Sequence, residues 1–368
     1  MFGPDVLADF RDQLGKQIAS RPQLPAFDPL PVSPWIAMSL LQKAIRRGLP
    51  RLALQAAARL LTDSPERLWR RCGGIAFEDV GAADPETVGL VTAALGGKRI
   101  RVTLGGEWQV ASFIVEAMAE APKCRGADDL LMSVELHPDL TQARQTQAEL
   151  SVHQLRRIVL SQATLQERAL ALWYVLGTDR RPSRHLRAYR GEPTIVFDLL
   201  DELGTPPTMV EIAREGFRRT REVLCPFVGM LMADRKPKGS SVEDDDLPEQ
   251  AMIGPVPGWA LDIYTREGRA ALNQFGAGET NTAKWVRDRI PPAKRLDMLG
   301  GILFRVEGGL VARRLRWPIA LELRRLLDIE CQGLSPSEAV EVLTLIRSDV
   351  PSLNEIRAAV MGSVRHAL

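Results

Sequence analysis

The chain has 368 residues, 45% of them hydrophobic, and its 48 basic and 46 acidic residues give a formal net charge of +2. The hydrophobic fraction excludes an intrinsically disordered protein, and the near-neutral charge gives no argument for nucleic-acid binding unless basic residues cluster locally. At this length we expect two domains or one large helical array.

The cysteines and the apolar runs indicate a cytoplasmic protein. The four cysteines are far apart and form no C-x-x-C pair, which argues against a zinc site and against a disulfide scaffold. The first 20 residues are charged and lack the apolar core of a signal peptide, and no apolar run approaches the roughly 20 residues of a membrane helix. We therefore expect no bound metal, no cofactor and no membrane contact.

The N-terminal 34 residues are predicted to form a short helix followed by a proline-rich strap. The sequence RPQLPAFDPLPVSP (21–34) favours an extended backbone. This strap either lies on the domain surface or docks a partner through Phe27 and Leu30. We favour the surface strap.

Residues 39–85 are predicted to form two amphipathic helices and a sharp corner, because apolar residues recur at helical spacing. Asp84, followed by proline, predicts a helix N-cap. Glu78 and Asp79, just before Gly81, allow three interpretations: catalytic carboxylates, metal ligands, or caps for the next helix. We favour caps, because acidic side chains suit the positive start of a helix.

This corner also carries a family resemblance. IAFEDVGAADP (75–85) resembles the IASEDIGLADP-type signature in the C-terminal, clamp-loader-like region of bacterial RarA/MgsA-type AAA+ ATPases. Two flanking stretches resemble that region's KSIRGSDPDAAL-type and AQAVIYLATAPKSN-type segments in the same order, LLQKAIRRGLPRLALQAAARLL (40–61) and WQVASFIVEAMAEAPKCR (108–125). The resemblance covers about 35–132 and departs at Cys124-Arg125, where the family usually has Ser-Asn. It implies a helical region that mediates oligomerisation behind an ATPase module.

The ATPase module itself has no counterpart in this sequence. A Walker A loop needs G-x-x-x-x-G-K-[ST], so that backbone amides and a lysine hold phosphate. The nearest match, Gly96-Gly97-Lys98-Arg99, lacks the first glycine and has arginine where the magnesium-binding hydroxyl is needed. We therefore expect a protein that is not an enzyme.

Two stretches concentrate basic side chains. Residues 180–190 (RRPSRHLRAYR) hold five arginines and no acid, and residues 282–325 hold eleven basic residues against four acidic ones. A capped helix in the first stretch would gather its arginines along one side, and the planar arginine fork suits phosphate. We predict nucleic-acid contacts at Arg180, Arg181, Arg184, Arg187, Arg190, Arg313, Arg314 and Arg316. The alternative is that both stretches form solvated faces or subunit-interface patches.

The segment 234–258 is predicted to be an acidic Gly/Pro linker, because KPKGSSVEDDDLPEQ and the following GPVP break regular structure and the acidic run repels itself. The next segment, WALDIYTREGRAALNQF (259–275), is similar to an ALDMHTREGR segment of the same family. Five of its polar residues form either a binding site or a buried polar network: Asp262, Tyr264, Thr265, Arg266 and Arg269. Ser335-Pro336 predicts a late helix start, and we expect Pro351 to end that helix.

These patterns predict an all-α fold, a multi-helix array resembling a clamp-loader collar with minor β-hairpin content. The expected divisions are an N-terminal helix and strap (1–34), a collar-like domain (35–233), the acidic linker (234–258) and a basic helical region (259–368). The predicted function is a non-catalytic, DNA-associated oligomerisation protein of replication or repair, acting as a homo-oligomer or with an AAA+ partner. The alternative is a protein-binding scaffold or modulator of an AAA+ ATPase that does not contact DNA.

Overall fold

The computed structural model describes residues 6–179, 183–234, 240–329 and 334–365. Helices dominate these ranges, and the strands in them are two residues long and form two antiparallel pairs. The predicted all-α class with minor hairpin content is confirmed. None of the described helices is both long and apolar enough to cross a membrane.

The first part of the chain folds into short helices joined by tight corners. These are α1 Val6–Ser20, α2 Pro34–Arg46, α3 Pro50–Asp63, α4 Pro65–Ile75, α5 Pro85–Ala94, α6 Lys98–Thr103 and α7 Glu107–Glu120. A π-helical turn (Ala76–Val80) and a short 3-10 turn (Gly81–Ala83) separate α4 from α5. Proline occupies the start of α2, α3, α4 and α5, where its missing N–H costs no helical hydrogen bond.

Seven further helices complete the larger helical array. They are α8 Gly126–Leu136, α9 Thr141–Gln147, α10 Val152–Val159, α11 Leu165–Leu176, α12 Pro193–Glu202, α13 Pro207–Thr220 and α14 Leu224–Asp234. Thr164 starts α11 with a capping box, in which its hydroxyl accepts from the Glu167 amide while the Glu167 carboxylate accepts from the Thr164 amide.

The C-terminal part alternates short strands and helices. In chain order these are β1 Val242–Glu243, β2 Met252–Ile253, β3 Val256–Pro257, α15 Arg266–Ala277, α16 Asn281–Arg289, α17 Arg295–Leu303, β4 Arg314–Leu315, α18 Pro318–Ile329 and α19 Pro336–Arg365. A second π-helical turn, Phe304–Gly308, follows α17. The expected helix end at Pro351 is wrong, because α19 runs through this proline while it packs against α15, α16 and α17.

The described helices bury two separate hydrophobic cores. The larger one is formed by α1 to α14 together with side chains around Trp259 and Trp317. The smaller one is formed by α15, α16, α17 and α19. Helix α18 packs on α8 and contributes Leu323 to the larger core. The predicted C-terminal region therefore divides its side chains between the two cores.

The predicted linker is ordered over 240–257. Strand β1 pairs with β4, with Val242 opposite Leu315, and β2 pairs with β3 in a hairpin. Asp245 is buried and its amide donates to the Val311 carbonyl at 3.0 Å. The expectation of a flexible loop is wrong for this part, because arginines on the facing strand and helix neutralise the acidic run.

The corner after the first π-helical turn requires glycine at position 81. Gly81 has φ +51°, and a Cβ atom there would lie 2.8 Å from the Cys124 carbonyl oxygen. Gly74, in α4, has open space around the same position and no positive φ. The two glycines therefore form a matched pair for substitution.

We expect Gly81→Ala to lower the free energy of unfolding by about 1–3 kcal/mol, since it adds both a backbone penalty and a steric clash. Gly74→Ala should raise it by roughly 0.5–1 kcal/mol, because alanine favours helix. Urea denaturation of both variants measures this. Equal stability of Gly81→Ala and the wild type would show that the corner does not depend on this backbone conformation.

Candidate functional site

A buried ion network lies where α2, the first π-helical turn and the start of α8 meet. Asp79 is 0% exposed. Its carboxylate accepts hydrogen bonds from Arg46 at 2.7 Å, from Gln42 at 3.1 Å and from Arg125. Glu78 accepts from the same two arginines, at 2.5 Å from Arg46 and 3.1 Å from Arg125. Two adjacent carboxylates thus share one pair of guanidinium groups.

This network corrects part of the predicted corner. The N-cap prediction is confirmed for Asp84, whose carboxylate accepts from the Thr87 amide at 3.1 Å. It is wrong for Glu78 and Asp79, which contact arginines rather than the next helix. The physical reason is burial, because an interior carboxylate needs full charge compensation more than a helix start does.

The network shifts the ionisation of its members in opposite directions. Burial alone would raise the pKa of Glu78, but Arg46 and Arg125 outweigh it and lower this pKa well below its usual range. Burial raises the pKa of Asp128, although Arg125 contacts that carboxylate and opposes the shift. The pKa of Arg125 is raised, because the surrounding carboxylates outweigh its burial. The arginines therefore stay charged.

The same helix, α2, attaches the smaller core to the larger one. Arg46 donates to the Gly308 carbonyl at 2.8 Å, and Arg47 donates to the Glu307 carbonyl at 2.9 Å. The Glu307 carboxylate in turn accepts from Arg357 on α19 at 2.9 Å. Polar contacts from α2 thus fix the second π-helical turn against the larger core.

The constellation predicted at 262–269 separates into two groups. Asp262 forms an ion pair with the buried Lys43, and Thr265 caps α15 by accepting from the Gly268 amide at 3.0 Å. Tyr264 is 81% exposed, and Arg266 and Arg269 are also exposed. The buried-network interpretation therefore fits Asp262 and Thr265, and the other three residues face solvent.

A cleft of about 280 Å³ opens beside the ion network. Six arginines line it: Arg125, Arg305, Arg314, Arg316, Arg324 and Arg347. Three carboxylates join them, from Asp129, Asp245 and Asp246, and the apolar lining comes from Phe304, Leu310 and Leu343. We call this feature the arginine cleft. Its guanidinium groups outnumber its carboxylates two to one.

Asp245 holds one side of the arginine cleft together. Arg314 donates to both of its carboxylate oxygens, at 2.8 and 2.7 Å, and Arg324 donates at 3.1 Å. The Val311 amide donates a further bond at 2.9 Å. Burial alone would raise the pKa of Asp245, but these partners outweigh it and lower the pKa to about 2.

The predicted contacts in the second basic stretch have different surroundings. Arg314 is 4% exposed and occupied by Asp245, so we leave it out of any ligand-facing surface. Arg316 is partly exposed and pairs with Glu243 at 3.0 Å. Arg313 is exposed, and its guanidinium donates to the Glu120 carbonyl. Arg313 and Arg316 therefore remain candidates.

The first basic stretch does not form the predicted helix between 183 and 190. The Ser183 hydroxyl donates to Glu135 at 2.5 Å, and the Arg187 carbonyl accepts from the Thr178 hydroxyl at 2.6 Å. These contacts from neighbouring helices hold the segment in an irregular conformation. Arg180 and Arg181 lie outside the described residues.

The exposed side chains of this segment are arginines. Arg184 and Arg190 are exposed and unpaired among the described residues, whereas Arg187 pairs with Glu149. Tyr189 donates to the Leu150 carbonyl at 2.9 Å and packs edge-on against Tyr174. It is therefore a packing residue rather than a stacking platform for a base.

Sequence reasoning missed the arginine cleft as a unit. Arg305 and Arg324 were counted in the local basic excess, but nothing placed them beside Arg347, which lies on α19 beyond that stretch. The only signal was the helical spacing of Leu343 and Arg347, which predicts one shared face. The partners of Asp245 are also distant in the chain, so periodicity could not find them.

Comparisons of this chain with protein-family models, curated proteins and solved structures find no match. Among the described residues, no three side chains of His, Cys, Asp or Glu are grouped to hold a metal ion. The site therefore rests on its own geometry, in which the main chemical feature is a surplus of guanidinium groups.

The low pKa of Asp245 predicts a specific acid sensitivity. A carboxylate with a depressed native pKa stabilises the fold above its unfolded pKa of about 3.9, and this contribution is lost as the pH falls towards about 2. The stability gap between the wild type and Asp245→Asn should be roughly 2 kcal/mol above about pH 5 and should shrink at lower pH.

Denaturant unfolding of both proteins across this pH range measures the gap. Asp246→Asn, which changes the exposed neighbouring carboxylate, is the control and should keep wild-type stability at neutral pH. A gap between wild type and Asp245→Asn that stays constant with pH would contradict the ion-pair account of Asp245.

Proposed function

We propose that this chain is a non-catalytic, cytoplasmic, nucleic-acid-associated protein that binds phosphate groups through the arginine cleft. One observation carries the proposal: six guanidinium groups line a single cleft that holds three carboxylates. Arginine presents paired donors that match phosphate oxygens, and backbone phosphates supply most of the affinity in nucleic-acid binding.

The arginines of the cleft divide into structural and binding groups. Arg125 and Arg314 are buried in ion pairs and shape the cleft. Arg347 is exposed and no described residue pairs with it, and Arg316 is partly exposed beside Glu243. We assign the phosphate contacts to Arg316 and Arg347, with Arg313 close by in the chain.

The two basic regions are separated by the length of one helix. Arg125 at the start of α8 lines the arginine cleft, and Glu135 near its end holds Ser183 of the other basic segment. Eleven helical residues rise about 16 Å, which matches roughly five nucleotide steps of one strand at about 3.4 Å each. A strand of modest length would therefore reach from the cleft to Arg184.

The family resemblance adds a second element to the proposal. A region that resembles a clamp-loader collar would assemble with copies of itself or with an AAA+ partner during DNA replication or repair. The helical fold is compatible with this role. Oligomer formation and the partner are parts of the proposal that light scattering of the purified chain would test.

A protein-binding scaffold is the second candidate, and exposed aromatic side chains favour it. Trp35 is 56% exposed with the Arg67 guanidinium 5.3 Å from its ring centroid, and Tyr264 is 81% exposed. Aromatic residues and arginine dominate the energetics of protein interfaces. In this alternative the chain modulates an AAA+ ATPase and does not contact DNA.

Fluorescence anisotropy of labelled single-stranded and duplex DNA, measured over a range of salt concentrations, tests the proposal. Binding should weaken steeply as salt rises, because each phosphate contact releases counterions. Arg347→Glu and Arg316→Glu should each weaken binding by roughly tenfold, about 1.4 kcal/mol, and each should reduce the salt slope by about 1.

Arg99→Glu is the matched control, since this exposed arginine lies on α6. Helix α6 packs near the start of α7, whereas Arg313 contacts the end of α7 at Glu120. The control should bind DNA like the wild type. Absence of DNA binding at low salt would refute the nucleic-acid proposal and favour the protein scaffold.

A further inference from the structure

The dimensions of the arginine cleft suit a small group rather than a duplex. Its volume of about 280 Å³ lies near the lower end of the roughly 300–1,000 Å³ that is typical of small-molecule sites. A single nucleotide-sized group fits such a space, whereas a duplex stays at its mouth. The inner arginines therefore need a ligand that enters the cleft.

Part of the positive charge in the cleft is already compensated. Arg314 and Arg324 share the Asp245 carboxylate, and Arg125 is held by Asp79. The other guanidinium groups of the lining belong to Arg305, Arg316 and Arg347. Two further carboxylates face them, from Asp129 and Asp246, and burial raises the pKa of Asp129. The uncompensated charge of the cleft is therefore positive.

The three remaining arginines keep donors for a ligand. Arg305 donates to the Leu327 carbonyl at 3.0 Å, and this neutral acceptor does not cancel its charge. Arg316 pairs with Glu243, whose side chain is 58% exposed, so that water weakens the pair. Arg347 pairs with no described residue. Each guanidinium carries five N–H donors, so several are left to bind oxygen.

A terminal phosphate matches this arrangement better than an internal one. A phosphate monoester carries a charge of about −1.5 to −2 at pH 7 and has three acceptor oxygens. An internal diester carries a single charge and has two such oxygens. Leu310, Leu343 and Phe304 give the carbon part of the ligand an apolar surface.

We propose that the arginine cleft binds a phosphate monoester, carried by a free nucleotide or by the phosphorylated end of a nucleic-acid strand. The strand source rests on the proposed function, and the free nucleotide does not. Arg316 and Arg347 are the contacts that this proposal assigns, because both are accessible and charged.

Competition anisotropy on the intact chain tests the proposal with short DNA strands of one sequence that carry a 5′-phosphate, a 3′-phosphate or only hydroxyl ends, and with a circular strand. A phosphorylated end should bind at least about tenfold more tightly than hydroxyl ends. Adenosine monophosphate should displace the phosphorylated strand, and adenosine should not.

Two variants locate the preference. Arg347→Gln and Arg316→Gln should each remove most of the preference for a phosphorylated end, while Arg99→Gln should retain it. Circular dichroism melting checks that each variant is folded. Two variants are used so that loss of fold in one of them still leaves the other as a test.

The outcomes separate the two proposals. Equal affinity for phosphorylated, hydroxyl and circular strands overturns the monoester site and leaves the proposed function in place. Binding of adenosine monophosphate that depends on Arg347, without binding of any strand, supports the monoester site and overturns the proposed function. No binding of the monophosphate together with no preference for phosphorylated ends overturns the monoester site.

Discussion

The buried carboxylate of Asp79, held between Arg46 and Arg125, is the interaction on which the rest of the structure depends. Burying these charges costs several kcal/mol per ion, and the cost is recovered only when every partner is in place. Arg46 extends the network to the Gly308 carbonyl, and Arg125 extends it to the arginine cleft. One ion pair therefore positions the smaller core and one wall of the candidate site.

The arginine cleft follows the same electrostatic logic with a different balance. Asp245 compensates Arg314 and Arg324 and lowers the local repulsion enough for the strands β1 and β4 to pair. The acidic run that repels itself in isolation is thus a structural counterion in the fold. The arginines that it does not compensate supply the positive charge that we assign to phosphate binding.

Local sequence signals predicted the helices and several of their ends. Proline starts, the Asp84 cap and the capping box at Ser335 and Glu338 depend on residues within one turn, which the sequence displays directly. The ion pairs could not be predicted in this way, because Arg314 and Asp245 are separated by 69 residues and Arg46 and Asp79 by 33. The irregular segment at Arg184 was misjudged for the same reason, since contacts with other helices override its local helical spacing.

A double-mutant cycle between Asp79 and Arg125 tests the central claim most directly. Unfolding free energies of Asp79→Asn, Arg125→Met and the double variant give the coupling between the two side chains. The account predicts a coupling of at least about 2 kcal/mol, because either single change leaves a buried charge without its partner. Additive effects of the two changes, with a coupling near zero, would contradict the claim that this pair holds the structure together.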